Sequence, residues 1–417
     1  MDRSITVLGA GSVGVGVALH LQQRGWKVTL IDRSEPASET SYGNAGVINA
    51  SSFVPLNNHS LWKSIPKYLK NNQPQVRYSW TRVLQQFPWL YHFLKHANSA
   101  DATKTSEALN QLCSHALDEH KAFMQRAGNM HRLSEAGWLK VFRKENGFNP
   151  KSFDGTLYER FDIGVQTLDT DEIYQLEPSL KRIFRSGYLL TDSAQVNNPG
   201  ALVKEYAQQF VADGGNLLNA NITQVRHDKN RFLLQTTDNL MDAERLVVAA
   251  GPWSADVLEH LGYRVMLGVE RGYHQHFHPH GDAVLNRTCH DVDAGYIMAP
   301  MQAGIRITSG VELAMRDAPS NTAQLEQVIP RAYEAFPLSG PTNDPIWRGS
   351  RPTLPDSRPI IGQSPAHENL WLAFGHQHIG LMSGPITGKL LAQQISGEKP
   401  DIDVTPFRAD RWVHSSR

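Results

Sequence analysis

Ile5-Thr6-Val7-Leu8-Gly9-Ala10-Gly11-Ser12-Val13-Gly14 opens the first ordered unit of the chain, and Val28-Thr29-Leu30-Ile31-Asp32 closes it. Ile5 to Leu8 is the short apolar run that a buried parallel strand needs. Gly9 permits a tight turn, Gly11 lets backbone approach a pyrophosphate, and Gly14 lets the following helix pack close to the strand. Ala10, Ser12 and Val13 complete that turn. Val13, Val17 and Leu21 recur at helical spacing, and Gly25 stands where a helix C-cap is expected. Asp32 ends the second strand, where a carboxylate can accept hydrogen bonds from ribose hydroxyls, with Arg33 beside it. The glycine triplet alone is a weak signal. Strand before, helix after and acid at the right distance together specify a dinucleotide-binding unit.

Working outward, 417 residues allow two or three domains. Lys plus Arg and Asp plus Glu number 41 each, so no global basic footprint points to nucleic acid. Cys113 and Cys289 are far apart and outside any CxxC spacing, which leaves a disulfide framework or zinc ribbon unsupported. No run of about 20 apolar residues suggests a membrane span. The N-terminal apolar run is already the first strand and is broken by glycines, so it does not read as a signal peptide. The expectation is a cytoplasmic protein, and peripheral contact with the inner face of a membrane is compatible with this hydropathy.

After Asp32, the stretch Ser41-Tyr-Gly-Asn44-Ala45-Gly46-Val47 is rich in small residues and poor in charge. It reads as a loop whose backbone reaches the same ligand. Residues 56–98 are aromatic-rich and divided by Pro66, Pro74 and Pro88 into short helices. They are expected to pack over the body of the protein, with membrane-surface docking as the second reading. Residues 104–127 read as one amphipathic helix ending near Gly128. A helix over 201–212 is followed by apolar runs at 217–225, 231–236 and 246–250. Val225, Ala250 and Gly251 are placed where the sheet returns to the cofactor. Residues 263–315 alternate as an antiparallel sheet, 321–336 form a helix and 370–374 a strand. Gly375-His376-Gln377-His378-Ile379-Gly380-Leu381 then leads to a last helix over 386–395.

These pieces resemble the FAD-dependent amino-acid oxidase and dehydrogenase superfamily, which includes D-amino-acid oxidase and glycine oxidase, and within it the bacterial D-amino-acid dehydrogenases. The resemblance rests on Gly9-x-Gly11-x-x-Gly14, Ser41 to Gly46, and Glu270-Arg271-Gly-Tyr273-His274. It continues through Arg351-Pro-x-x-Pro-Asp356 and Gly375 to Gly388, in family order along nearly the whole chain. It implies an α/β fold: a Rossmann-type FAD-binding domain and a second α+β substrate domain built on an antiparallel sheet. The expected FAD domain comprises 1–55, 190–260 and 345–417, and the substrate domain 56–189 and 261–344. It further implies non-covalent FAD, a small amino or imino acid substrate, and oxidation at Cα to the imine. The electron acceptor (quinone, carrier or O2) stays open.

Within that frame Arg271 and Arg351 are the expected partners of the substrate carboxylate, because guanidinium matches it bidentately. Arg306 is a third. Tyr273, His274 and His378 are the expected catalytic side chains, with Tyr273 also a substrate contact. The alternating His274, His276, His278 and His280 lack an acid or cysteine at metal spacing, so no metal is expected. A secondary-amine substrate such as D-proline, cis-4-hydroxy-D-proline or sarcosine is the rival within enzymes. A non-catalytic flavin-bearing subunit is the rival outside them.

Overall fold

The computed structural model describes residues 3–415. Its first sheet has six strands in the order Asn216–Asn219, Lys27–Asp32, Ser4–Leu8, Leu246–Val248, Leu370–Phe374 and Ile360–Gln363. All pairings are parallel except the last. Ile5, Val7, Leu30, Val247 and Leu372 are buried, as strands covered on both faces must be. The second sheet is the larger, with 11 strands, two of which join the long Gly268–Pro279 strand off the main path. Trp347–Thr353 is one of these, antiparallel to Gly268–Pro279 with Glu270 opposite Arg351 and Gly272 opposite Gly349. The α/β class read from sequence is the class observed.

Two helices control the geometry of the site. Ser12–Gln23 follows the first strand, and Gly380–Ile395 follows Leu370–Phe374. They pack in backbone contact through glycines. A Cβ on Gly16 would lie 2.6 Å from the Gly384 carbonyl oxygen, and one on Gly388 would lie 2.2 Å from the Gly16 carbonyl carbon. The last helix starts six residues before the expected 386. Pro385 lies inside it and cannot donate to the carbonyl of Leu381. That carbonyl is satisfied instead by Ser12 Oγ at 2.9 Å and His120 Nε2 at 3.0 Å. The long Ser99–Ala127 helix, capped by Asn98 and closed by Gly128 in the left-handed region, brings His120 there.

The run expected at 217–225 is two strands. Asn216–Asn219 joins the parallel sheet, and Ile222–Asp228 begins a separate antiparallel sheet with Arg231–Thr236 and Leu240–Ala243. Val225 is therefore core, fully buried with Phe232 and Leu234, and does not reach the cleft. Residues 56–98 form the short helices Leu61–Tyr68, Trp80–Gln85 and Phe87–Lys95. Among the described residues no helix is long and apolar enough to cross a membrane.

Candidate active site

A cavity of about 460 Å³ runs from the ends of the parallel strands to the face of the large sheet. At one end Gly9, Gly11, Ser12 and Val13 line it. Gly9 has φ +106°, and any Cβ there would strike the Ala249 carbonyl at 2.4 Å, so the turn requires glycine. The Ser12–Gln23 helix starts here with no side-chain cap and no acid in its first turn. Ser41 Oγ meets the Ser12 N–H at 3.1 Å. Such an end, with outward N–H groups and a positive dipole, suits a pyrophosphate. Asp32 lines the cavity next to it, accepting from the N–H groups of Ala10 (2.7 Å) and Ser34 (2.9 Å). Burial holds its carboxyl above the usual range despite those two donors.

At the other end lie Gly375, His376, Gln377, His378, Ile379, Gly380 and Leu381. The last helix begins at Gly380, again without a side-chain cap or an acid in the first turn. Asn44 ties the two cofactor loops together: its Nδ2 donates to the His378 carbonyl (3.2 Å), and its Oδ1 accepts from Gly46 N–H (2.8 Å). Arg33, Ala45, Val47, Ala250 and Gly251 complete this part of the lining. A strand-end acid and two uncapped helix N-termini opening on one cavity fit a flavin dinucleotide.

Four of the expected cofactor positions do not face this space. Gly14 is a packing glycine, since a Cβ would come within 1.7 Å of the Gly9 carbonyl oxygen. Gly46, at φ +75°, is pressed against the Val196 carbonyl. Ala10 is buried and contributes through its backbone bond to Asp32. Val225 is displaced by the strand break, and Ala220, Asn221 and Ile222 line the cavity in its place. A break between two apolar runs lacking a glycine or proline gives no sequence signal.

On the large-sheet side the register separates the two expected arginines. Arg271 is fully buried and does not line the cavity. Its Nε faces Glu312 at 3.1 Å, and its other donors reach the carbonyls of Met315, Ala318 and Pro319. It anchors the 315–319 segment, so its assignment to substrate is corrected. Tyr273 borders the cavity, but its hydroxyl donates to Glu312 (2.6 Å) and accepts from Arg271 and the Asn321 N–H. Every position on that oxygen is used, and the expected hydroxyl contact with substrate is corrected too. His274 shares a sheet face with Arg351 and Trp347, but it stacks on Trp347 at 4.9 Å and does not itself line the cavity. Burial, then Arg306 and His276, push its pKa down to about 2, so it stays neutral and is no acid catalyst. Arg306 holds the carbonyls of Tyr42 and Asn44 and His276 Nε2, which makes it a support for the cofactor loop.

Arg351 is the arginine that faces the cavity. Among the described residues its guanidinium makes no hydrogen bond and no ion pair. It lies across Gly272, where a Cβ would sit 2.5 Å from its Nη2. Trp347 is seated in a similar slot cut by Gly43 and Gly349. Burial lowers the pKa of Arg351 and that of Glu270 opposite is raised, each group partly compensating the other. His378 lines the cavity as well. Burial first, then the Arg351 charge, bring it down to about 4, so its imidazole is neutral at pH 7. Trp138, Ile297, Thr308, Ser309 and Trp347 form the remaining walls. No motif marked them, because they converge from four separate strands and turns.

The sequence matches the model of the FAD dependent oxidoreductase family over residues 4–394. The chain belongs to that family, and its cofactor is FAD. It is 30% identical to a D-amino-acid oxidase of Bradyrhizobium diazoefficiens, across 99% of both chains. It is 26% identical to a D-amino acid dehydrogenase of Neisseria meningitidis, across 98% of this chain and 99% of that one. Glycine oxidase from Geobacillus kaustophilus superposes with a TM-score of 0.73 at 20% identity, covering 97% of this chain and 98% of its own. That last likeness is one of fold. Cys113 and Cys289 are buried and neither lines the cavity.

Proposed function

We propose that this oxidoreductase oxidises a D-amino acid at Cα, giving the imino acid that water hydrolyses to the 2-oxo acid. When bound, FAD supplies the hydride acceptor. Arg351 carries the reading: a cation facing the cavity with all its donors uncommitted is suited to a substrate carboxylate. Gly272 allows the guanidinium to lie flat, and the buried Glu270 opposite it on the paired strand partly compensates its charge. His378, held neutral by burial and the Arg351 charge, can accept a hydrogen bond from the substrate nitrogen, whose ammonium proton leaves to water. The Gly380 helix end favours negative charge developing next to it.

A second reading is a secondary amine such as D-proline, cis-4-hydroxy-D-proline or sarcosine. It is favoured by the flat apolar walls of Trp138, Ile297 and Trp347. The acids in the lining are Asp32, Glu35, Glu39 and Asp256, all at or just after strands of the parallel sheet.

Anaerobic mixing of the yellow protein with D-alanine, D-proline, cis-4-hydroxy-D-proline, sarcosine and their L counterparts tests both. Bleaching by one group identifies the amine class. Bleaching by none would overturn amino-acid oxidation in favour of a non-catalytic flavin subunit.

A further inference from the structure

Residues 40–100 contain no aspartate or glutamate, but they hold Lys63, Lys67, Lys70, Arg77, Arg82 and Lys95. The rest of the chain therefore carries the compensating acid excess. Seven of the 13 large apolar side chains exposed among the described residues lie in the same segment, between Leu56 and Tyr91. Trp80, Leu84, Phe87 and Tyr91 recur at intervals of four, three and four residues along the Trp80–Gln85 and Phe87–Lys95 helices. They are 63%, 76%, 61% and 55% exposed. The opposite stripe, Arg82, Trp89 and Phe93, is buried. These helices thus turn apolar side chains to both sides, where a surface helix ordinarily turns polar ones to water.

The Leu61–Tyr68 helix extends the pattern. It buries no residue, and Lys63 and Lys67 are exposed on it. Trp62 is 51% exposed, and Leu69 just beyond the helix is 64% exposed. The pieces are bound into one surface: Trp62 Nε1 donates to the Ala97 carbonyl at 2.6 Å, and the Tyr78 hydroxyl donates to the Leu69 carbonyl at 3.0 Å. The Tyr78 ring meets Trp80 edge-on at 5.2 Å.

We propose that this surface docks the protein on an anionic lipid bilayer. Exposed Trp, Phe and Leu suit the boundary between headgroups and acyl chains, and lysines around them meet anionic headgroups. A second copy of the chain fits poorly, because a two-fold contact would set this acid-free cationic segment against itself. The docking face backs onto the active site. Trp89 Nε1 donates to the Thr353 carbonyl at 2.9 Å, two residues from Arg351, and its ring fills the slot left by Gly268. Docking would hold the substrate-side wall of the cavity at the membrane surface.

Sedimentation of the full-length FAD-loaded protein with phosphatidylcholine vesicles, with and without phosphatidylglycerol, tests this. Binding is expected only with phosphatidylglycerol and is released by salt. Lys63→Gln, Lys67→Gln and Lys70→Gln should each weaken it about fivefold. The triple variant Trp80→Ser, Leu84→Ser, Phe87→Ser should lose binding but keep flavin bleaching by the amino acid. Absence of binding to anionic vesicles, or full binding by both the lysine and apolar variants, would overturn the proposal. So would a concentration-dependent dimer in light scattering that the apolar variant dissolves, which would assign the face to a second copy.

Discussion

Gly16→Ala is a one-methyl test of how the cofactor site is built. In an ordinary helix this change stabilises by about 1 kcal/mol, through propensity. Here the new Cβ would lie 2.6 Å from the Gly384 carbonyl oxygen, 3.0 Å from its carbon and 3.2 Å from Pro385 Cα. These are backbone atoms with no rotamer to change, so the helices must part by roughly 0.8 Å to reach a 3.4 Å contact. Overpacking of a close-packed core costs about 1–3 kcal/mol. Repulsion should win, with a net loss of about 1 kcal/mol. The same separation stretches the Ser12 Oγ bond to the Leu381 carbonyl and shifts the two helix N-termini relative to each other. FAD affinity should therefore fall about tenfold or more, although Gly16 does not line the cavity. Urea unfolding of the apoprotein and FAD titration by flavin fluorescence measure the two effects. An alanine variant that is equally or more stable and binds FAD within twofold of wild type would refute this account.

Three further outcomes are expected. Arg351→Met should raise the apparent Kd for substrate by about 10²-fold, while unchanged affinity and bleaching rate would remove Arg351 from the carboxylate role. Arg271→Met should leave KM within about threefold but lower stability by about 3 kcal/mol, because Glu312 would remain buried without its partner; a large KM rise at full stability would return Arg271 to the substrate. Buried His120, His274, His276, His290 and His376 are pushed by burial to about 4, 2, 4, 3 and 3. Between pH 6.5 and about 4 the unfolded chain binds protons that the folded chain does not, so their stabilisation is complete above pH 6.5 and declines on acidification. Each histidine contributes a slope of up to about 1.4 kcal/mol per pH unit. Urea midpoints measured from pH 7.5 to 5 should fall steeply, and a flat profile would contradict neutral burial.

The dinucleotide unit, and hence the cofactor, is legible in local sequence. Gly9, Gly11 and Asp32 act through a turn and two strand ends within 28 residues, and local backbone chemistry is written locally. The sequence also determined the return of the chain to the cofactor at Ala250 and Gly375. Tertiary structure decided which of two similar arginines serves the cavity. Arg271 and Arg351 lie on paired strands of one sheet, and the cross-strand register turns one toward Glu312 and the other across Gly272. It decided where the last helix begins, since Pro385 is accommodated only because Ser12 and His120, more than 260 residues away, satisfy the Leu381 carbonyl. It also decided which face of the 80–95 helices meets water, because Trp89 and Phe93 are as apolar as the exposed Trp80, Leu84, Phe87 and Tyr91, and packing on the Trp347–Thr353 strand buries them together with Arg82. Turn and strand-end chemistry needs only neighbours in the chain. Register, carbonyl rescue and facing need partners that the folded chain alone supplies.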